Sequence, residues 1–311
     1  MENIQEMFAQ LHETNVTKTT HRQLYPAISP KRPELSQAGK VILIPGGGTG
    51  VGYGIARSFV QASADTVILL GRRVNILEEA AAKLEEEAKK SNTNTKIIKQ
   101  ACDMTNPDET RAFWDSLTAK GITVDVLVAN VAKFSEPKPI LELGSDEVWS
   151  QFEVNVKSHL YFTEQFYSQS NGKKKYLINV SSQVIHMTAH AGVAQRPAYT
   201  LSKMAATLLF QVIAQNTPIT ELQVISFHPG LIFNDAWKSM GLTPDLFDSD
   251  EVCGGFAVWA ATEQAKFLHG RFVWSSWDVD ELAMGEIRKR IDEDPYFLKS
   301  SIVGLNGALL T

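Results

Sequence analysis

The chain has 311 residues and a mass of 34.4 kDa, with 44% hydrophobic and 21% charged residues, enough to bury a core and unlike a disordered tail or a fibre. Thirty Lys and Arg against 35 Asp and Glu leave a formal charge of −5, a poor balance for a nucleic-acid binder, which must neutralise phosphates. There is no apolar run long enough to span a bilayer, and the two cysteines, Cys102 and Cys253, exclude a disulfide framework and a four-thiolate zinc site.

The start, Met1 to Glu6, lacks the basic and apolar regions of a secretory signal, so a soluble cytoplasmic protein without membrane or nucleic-acid partners is the expectation. Residues 1–39 are polar, with Pro26, Pro30 and Pro33. They read as an N-terminal extension lying along the surface, with one short helix over Gln5 to His12. Organised sequence begins at Lys40. Val41 to Ile44 is a strand ending in Pro45 and glycines, and residues 51–62 form a helix. Thr66 to Leu70 is a second strand, followed by a helix near 74–90. Lys96 to Ala101 is a third strand, Pro107 to Lys120 a helix and Val124 to Val128 a fourth strand. A long helix over about 145–169 precedes strand Tyr176 to Val180; a helix near 197–216 precedes Leu222 to Phe227, and Arg271 to Ser275 is the last strand. Continuous apolar runs alternating with amphipathic helices predict about seven parallel strands covered on both faces. The fold class is therefore α/β, a Rossmann-type doubly wound sheet in one domain over 40–275. Residues 276–311 follow as a C-terminal helix and tail packed on it.

The first strand runs into Pro45-Gly46-Gly47-Gly48-Thr49-Gly50-Val51-Gly52 and then a helix. Glycines there let the backbone approach a pyrophosphate, and the helix N-terminus offers free N–H groups and a favourable dipole. A tight turn alone also needs glycine; the position after the first strand favours the dinucleotide reading. The second strand ends in Leu70-Gly71-Arg72-Arg73, without the carboxylate that usually receives NAD ribose hydroxyls. A guanidinium suits a 2′-phosphate, so Arg72, then Arg73, point to NADP(H) unless both are solvated surface arginines.

Tyr199 and Lys203 lie one helical turn apart. A cation beside a phenol favours its ionisation and makes it a proton donor or acceptor for a carbonyl/alcohol pair. Ser181-Ser182 leave a strand's C-terminal end, where α/β ligand sites lie.

With these motifs in order, the chain resembles the short-chain dehydrogenase/reductase family over about residues 40 to 275. The family's glycine motif matches Gly46, Gly50 and Gly52, with Gly48, Thr49 and Val51 in the same turn. Its adenine-contacting Asp matches Asp103, beside Met104, and its fourth-strand motif matches Ala129-Asn130-Val131-Ala132 in part. The helical asparagine of its tetrad matches Asn155; Ser182, Tyr199 and Lys203 match the others. Pro229-Gly230 matches its nicotinamide-side turn, with Ile232 meeting the carboxamide, and Asn234 stands where a phosphate-contacting threonine is usual. The C-terminal Gly270 to Trp274 and Trp277 to Leu282 segments resemble a fungal subgroup that acts in secondary metabolism.

The resemblance implies hydride transfer between NADPH/NADP+ and a substrate. Tyr199 would move the proton and Ser182 would hold the oxygen. Lys203 would lower the Tyr199 pKa and hold the ribose, and Asn155 would hold a water. The expected activity is reduction of a ketone or aldehyde of a medium-sized, largely apolar substrate by a homodimer or homotetramer. The alternatives are an NADP+-dependent alcohol dehydrogenase working oxidatively and a non-redox isomerase or cyclase on the same scaffold.

The departures from the family pattern are Pro45, Ala129 and Val131-Ala132, in segments the family ties together by side-chain hydrogen bonds; that tie is expected to be absent or rebuilt. Ser182 and Tyr199 are 17 apart, further than usual in the family, so loop 183–198 is enlarged over the substrate. His186 and His190 in it lack a third metal ligand, and His186 is a candidate substrate contact. His228 is structural or pocket-lining, and Cys102 and Cys253 are packed thiols. Residues 234–250, with Trp237, Met240, Leu242, Leu246 and Phe247, form an apolar lid or a subunit contact. The aromatics Phe152, Tyr161, Phe162 and Phe166 belong to the core or a subunit interface. No charged anchor for the substrate is evident.

Overall fold

The computed structural model describes residues 14–301 apart from 170, 171, 189, 234 and 240. The expected helix over 5–12 and Asn234 therefore lie outside the described residues, as does Met240.

Seven parallel strands form one sheet in the order β3-β2-β1-β4-β5-β6-β7. They are β1 (Val41–Pro45), β2 (Thr66–Gly71), β3 (Lys96–Ala101), β4 (Val126–Ala129), β5 (Lys175–Val180), β6 (Leu222–His228) and β7 (Phe272–Trp274). The central strands are buried on both faces, which is why their sequences are unbroken apolar runs without alternation. One core layer gathers Ile42, Ile44, Ile55, Phe59 and Phe256; the other holds Leu43, Ile68, Phe113, Phe162 and Phe210. Register follows the pleat, with Ile42 opposite Val67 on one side and Val126 on the other.

The helices that carry function are α1 (Gly50–Gln61), α2 (Val74–Lys90), α3 (Pro107–Ala119), α4 (Ser145–Phe152), α5 (Ser158–Ser168), α6 (Pro197–Asn216) and α7 (Asp250–Ala260). The long helix expected over 145–169 is α4 and α5 joined by a π-turn at Glu153–Lys157. From β3 at one edge the chain crosses to β4, beside β1 on its other side. Strand order reverses there, and the crevice at the carboxyl ends of β1 and β4 is where such sheets bind ligands. The expected aromatic stripe is core at Phe162 and Phe166 and half-buried at Phe152 and Tyr161.

Residues 14–39 do more than lie along the surface. Ile28 and Leu35 are fully buried in the core, presented by short 3₁₀ turns at Pro26–Ile28 and Pro33–Leu35. Thr20 bridges Trp277, the Tyr25 hydroxyl donates to the Trp277 carbonyl at 3.1 Å, and His21 meets Asp278 at 2.8 Å. The arm thus docks on the segment after β7. Beyond it, the buried Arg271 donates to the carbonyls of Ile291 and Phe297, anchoring the C-terminal helix Gly285–Glu293.

Candidate active site

The glycine turn takes its shape from contacts within the protein. Gly46 has φ +71°, and a Cβ there would meet Asn130 Nδ2 at 2.8 Å; one at Gly52 would fall 2.3 Å from the Gly46 carbonyl oxygen. Only glycine fits either place. Asn130 Nδ2 donates to the carbonyls of Pro45 at 3.1 Å and Gly46 at 3.4 Å. The tie between the glycine turn and the β4 exit is therefore rebuilt through Asn130, and Pro45 takes part with its carbonyl. Thr49, ahead of α1, makes no side-chain cap bond, and the first turn of α1 carries no acidic residue. Its N–H groups are left to the crevice.

That crevice is a cleft of about 800 Å³. Gly46, Gly48, Thr49, Arg72, Arg73, Asp103 and Met104 all line it, so the structure brings these expected residues to one wall system. Asn130 and Gly52 stand behind the turn, and Val51 packs against the core. Arg72 is largely exposed and reaches Asp103 at 3.9 Å. Asp103 Oδ1 accepts from the Thr105 N–H and hydroxyl at 2.9 and 2.8 Å, which fixes the β3 exit. Cys102 and Cys253 are buried in the core, and burial pushes the Cys102 thiol up to about 12. An uncapped helix end, a glycine-walled cleft and two cations at its far corner fit a nicotinamide dinucleotide.

At its other end the cleft reaches Phe134, whose ring meets that of Tyr199 edge-on at 6.0 Å. Ser181 turns inward to Thr207 at 2.6 Å, leaving Ser182 to cap the 3₁₀ turn Gln183–Ile185 and to hydrogen-bond the Tyr199 phenol. Burial raises the phenol pKa above its ordinary value; the Ser182 bond and the charge of Arg196 pull the other way. Lys203 is fully enclosed, donates to the Val180 carbonyl at 2.8 Å, and is pushed down to about 8 by burial. Its Nζ lies 6.0 Å from the centre of the Tyr199 ring. Lys203 was expected to be the cation acting on the phenol. Lys203 is held at the end of β5, and the charge of Arg196 also lowers the phenol pKa.

Asn155 sits on the π-turn and is buried. Its Oδ1 accepts from the Lys133 N–H at 2.6 Å, and its Nδ2 donates to the Lys133 carbonyl and the Ser202 hydroxyl, both at 2.8 Å. One turn later the His159 Nε2–H donates to the Val131 carbonyl at 2.8 Å, and burial holds the ring neutral, with a pKa pushed down to about 4. Asn155 and His159 together clamp the loop after β4. The i, i+4 spacing of the pair was the available signal for His159; nothing in the sequence marked Lys133.

After β6, Gly230 has φ +93°, and a Cβ there would meet Asp248 Oδ2 at 2.6 Å. The Leu231 N–H donates to that oxygen at 2.8 Å, and Ile232 bridges Asp248. Pro229, Gly230 and Ile232 therefore form a turn stapled by Asp248. Arg22 of the arm approaches Asp248 at 3.7 Å and donates to the carbonyls of Asp245 at 2.8 Å and Phe247 at 3.0 Å. Phe247 also packs on Phe233 and Trp237 at 5.3 and 5.4 Å between ring centres. His228 is buried edge-on to Trp274 at 5.0 Å, its pKa pushed down to about 3 by burial. His186 accepts from the Trp274 indole at 3.3 Å, and His190 accepts from the Gly192 N–H, so each has a partner within the protein.

A parallel sheet with a glycine-walled crevice at its switch point and a serine, phenol and lysine at the adjoining strand ends defines a dinucleotide-dependent oxidoreductase type of site. The chain belongs to the short chain dehydrogenase family, whose profile matches residues 40–244. Among curated proteins it is 31% identical to the short chain dehydrogenase/reductase AacuD of Aspergillus aculeatus over 92% of this chain and 96% of that one. It is 32% identical to a short chain dehydrogenase/reductase of Claviceps purpurea, over 92% of this chain and 94% of the relative. Among solved structures it is similar to a short-chain type dehydrogenase/reductase from Mycobacterium ulcerans, with TM-score 0.68, 24% identity and coverage of 77% of this chain and 89% of that one. It is also similar to the L-sorbose reductase of Gluconobacter frateurii complexed with NADPH and L-sorbose, with TM-score 0.67, 21% identity and coverage of 78% and 96%.

Proposed function

We propose that the protein is an NADPH-dependent reductase of a ketone or aldehyde on a medium-sized, largely apolar molecule, working in the cytoplasm as a homo-oligomer in a secondary-metabolite pathway. The observation that carries this reading is the Tyr199 phenol, hydrogen-bonded to Ser182 at the exit of β5 and edge-on to Phe134 of the cleft wall. Carbonyl reduction consumes a proton at oxygen, and a protonated phenol is ready to give one.

When bound, the nicotinamide supplies the hydride. Ser182 holds the substrate oxygen, and Tyr199 donates its proton to it. Lys203, on the next turn of α6, offers its cation to the phenolate that remains. Asn155 is a positioning residue, fixing the β4 loop against α6. At the far end of the cleft, Arg72 and Arg73 receive the adenosine phosphate, and Asp103 contacts the adenine side. The preference for NADPH is supported by the absence of a carboxylate at the end of β2 and by the exposure of the Arg72 fork. The fungal relatives support the metabolic setting.

The homo-oligomer is supported by a row of exposed apolar side chains on α6, Leu201, Met204, Leu208 and Val212, and by the exposed Leu160 and Tyr167 of α5. That spacing follows one helix face. No helix among the described residues is long and apolar enough to cross a membrane.

The test is NADPH consumption, followed by nicotinamide absorbance, across a panel of carbonyl compounds. Turnover with NADPH well above NADH is expected. Turnover only of alcohols with NADP+, or product without cofactor consumption, would replace this reading.

A further inference from the structure

A cation stands beside Tyr199 with no carboxylate to neutralise it. Arg196 immediately precedes Pro197, the first residue of α6, and lies three residues ahead of Tyr199. Its Nη1 donates to the Ser135 carbonyl, and its Cζ lies 5.2 Å from the centre of the Phe134 ring. No Asp or Glu among the described residues lies within ion-pair distance of it. A guanidinium has five N–H donors in a planar fork, so one bond to Ser135 leaves most of them to other partners. The position is held from both sides, since the Lys138 N–H also donates to the Gln195 carbonyl at 3.1 Å and joins the β4 loop to the loop that carries Arg196.

Phe134 supplies the second half of the arrangement. Its ring is 62% exposed, although it lies under Arg196 and edge-on to Tyr199. It also lines the dinucleotide cleft. A large exposed aromatic ring beside a candidate proton donor is surface that a substrate can cover. Through Phe134 the guanidinium stands one ring away from Tyr199, and its charge lowers the phenol pKa.

We propose that Arg196 and Phe134 are the specificity-determining pair, and that the substrate is a carbonyl compound with a planar apolar body against Phe134 and an anionic oxygen group, carboxylate or acidic phenol, on Arg196. This rests on the reductase reading and names its substrate class. The apolar pocket expected from the sequence thereby gains a charged anchor. The signal was an arginine in the enlarged loop, three residues before Tyr199.

The test uses matched pairs: an aryl keto acid and its methyl ester, and an acidic hydroxyaryl ketone and its methyl ether. Each is assayed with NADPH on the wild type, Arg196→Gln and Phe134→Ala. A charge-assisted contact corresponds to about 10- to 100-fold in kcat/KM, so the wild type prefers the ionised member of at least one pair by that factor. Arg196→Gln brings the ratio for that pair to about 1, whereas Phe134→Ala weakens both members together. Which pair responds tells carboxylate from phenolate. A preference for the neutral members, or a ratio that survives Arg196→Gln, overturns the proposal.

A second measurement does not depend on turnover: calorimetric titration of the NADP+-loaded protein with a naphthalene carboxylate. Binding at least about 10-fold weaker in Arg196→Gln supports the subsite, and equal binding overturns it. Arg196-dependent binding in a protein that reduces none of the carbonyl compounds would remove the reductase reading and leave the anion subsite standing.

Discussion

Asn155 and Ser202 are joined by a buried hydrogen bond of 2.8 Å, and Ser202 in turn donates to the Tyr199 carbonyl at 2.9 Å. The π-turn, the loop after β4 and the first turns of α6 are therefore tied together by side-chain hydrogen bonds. Replacing Asn155 by Leu strips partners from the Lys133 N–H and carbonyl as well as from Ser202. A hydrogen bond of this kind is worth about 0.5–1.5 kcal/mol net, so thermal unfolding of Asn155→Leu, which loses three, should show a loss of roughly 2–5 kcal/mol. Ser202→Ala, which forfeits one hydroxyl, should lose about 1 kcal/mol. Equal, small losses in the two variants would show that the clamp contributes little.

Tyr199→Phe keeps the ring against Phe134 and removes only the proton. A positioned acid is worth about 10²–10⁴ in rate, and kcat should fall by that factor. NADPH affinity, followed by quenching of tryptophan fluorescence, should stay within about 3-fold. Retention of wild-type kcat would mean that another group protonates the product.

Arg72→Asp installs at the end of β2 the carboxylate that NAD-dependent sites use and removes the fork offered to the 2′-phosphate. The ratio of kcat/KM for NADPH over NADH should drop by about 100-fold or more. A ratio insensitive to Arg72, with Arg73→Ala equally silent, would place the cofactor's phosphate elsewhere.

His159 and His228 are buried as neutral rings, with pKa values pushed down to about 4 and about 3. In the unfolded chain each takes up a proton near pH ~6.5. Between ~6.5 and 4 the unfolded state binds more protons than the folded one, so stability falls as pH falls. The slope is up to ~1.4 kcal/mol per pH unit for each ring. His159→Gln keeps a donor for the Val131 carbonyl and removes one titration. Its denaturant-derived stability should therefore decline less steeply over that window; an unchanged slope would show that His159 titrates normally in the folded protein.

The sheet and its helices were legible because buried parallel strands demand apolar runs and the covering helices demand amphipathic ones. β1 through β7 fall within two residues of their expected bounds. The glycine turn, Arg72, Asp103, Ser182, Tyr199 and Lys203 were legible from the order and type of their residues. Interactions made by backbone atoms or by distant segments were hidden. Asn155 grips the Lys133 main chain, which any residue there would offer. Asp248 staples Gly230 and Leu231 from a segment expected only to be a lid or contact. Arg22 reaches Asp248 across 226 residues of chain, and an isolated arginine in a polar arm carries no mark of that partner. The charge that Arg196 exerts on the Tyr199 phenol was hidden as well, because the folding of the loop ahead of α6 brings it there.

The arm reaches the turn after β6 through a chain of two contacts, Arg22 to Asp248 and Asp248 to Leu231. Any coupling carried by these contacts is reciprocal: if a ligand at the turn favours the docked arm, the docked arm favours the ligand by the same free energy. A protease probing residues near Arg22 would then act as a reporter of cofactor occupancy at a distance, cutting slowly in the loaded protein and faster in the free one. The same reciprocity makes the arm a place where sequence change can tune nucleotide affinity without touching the cleft.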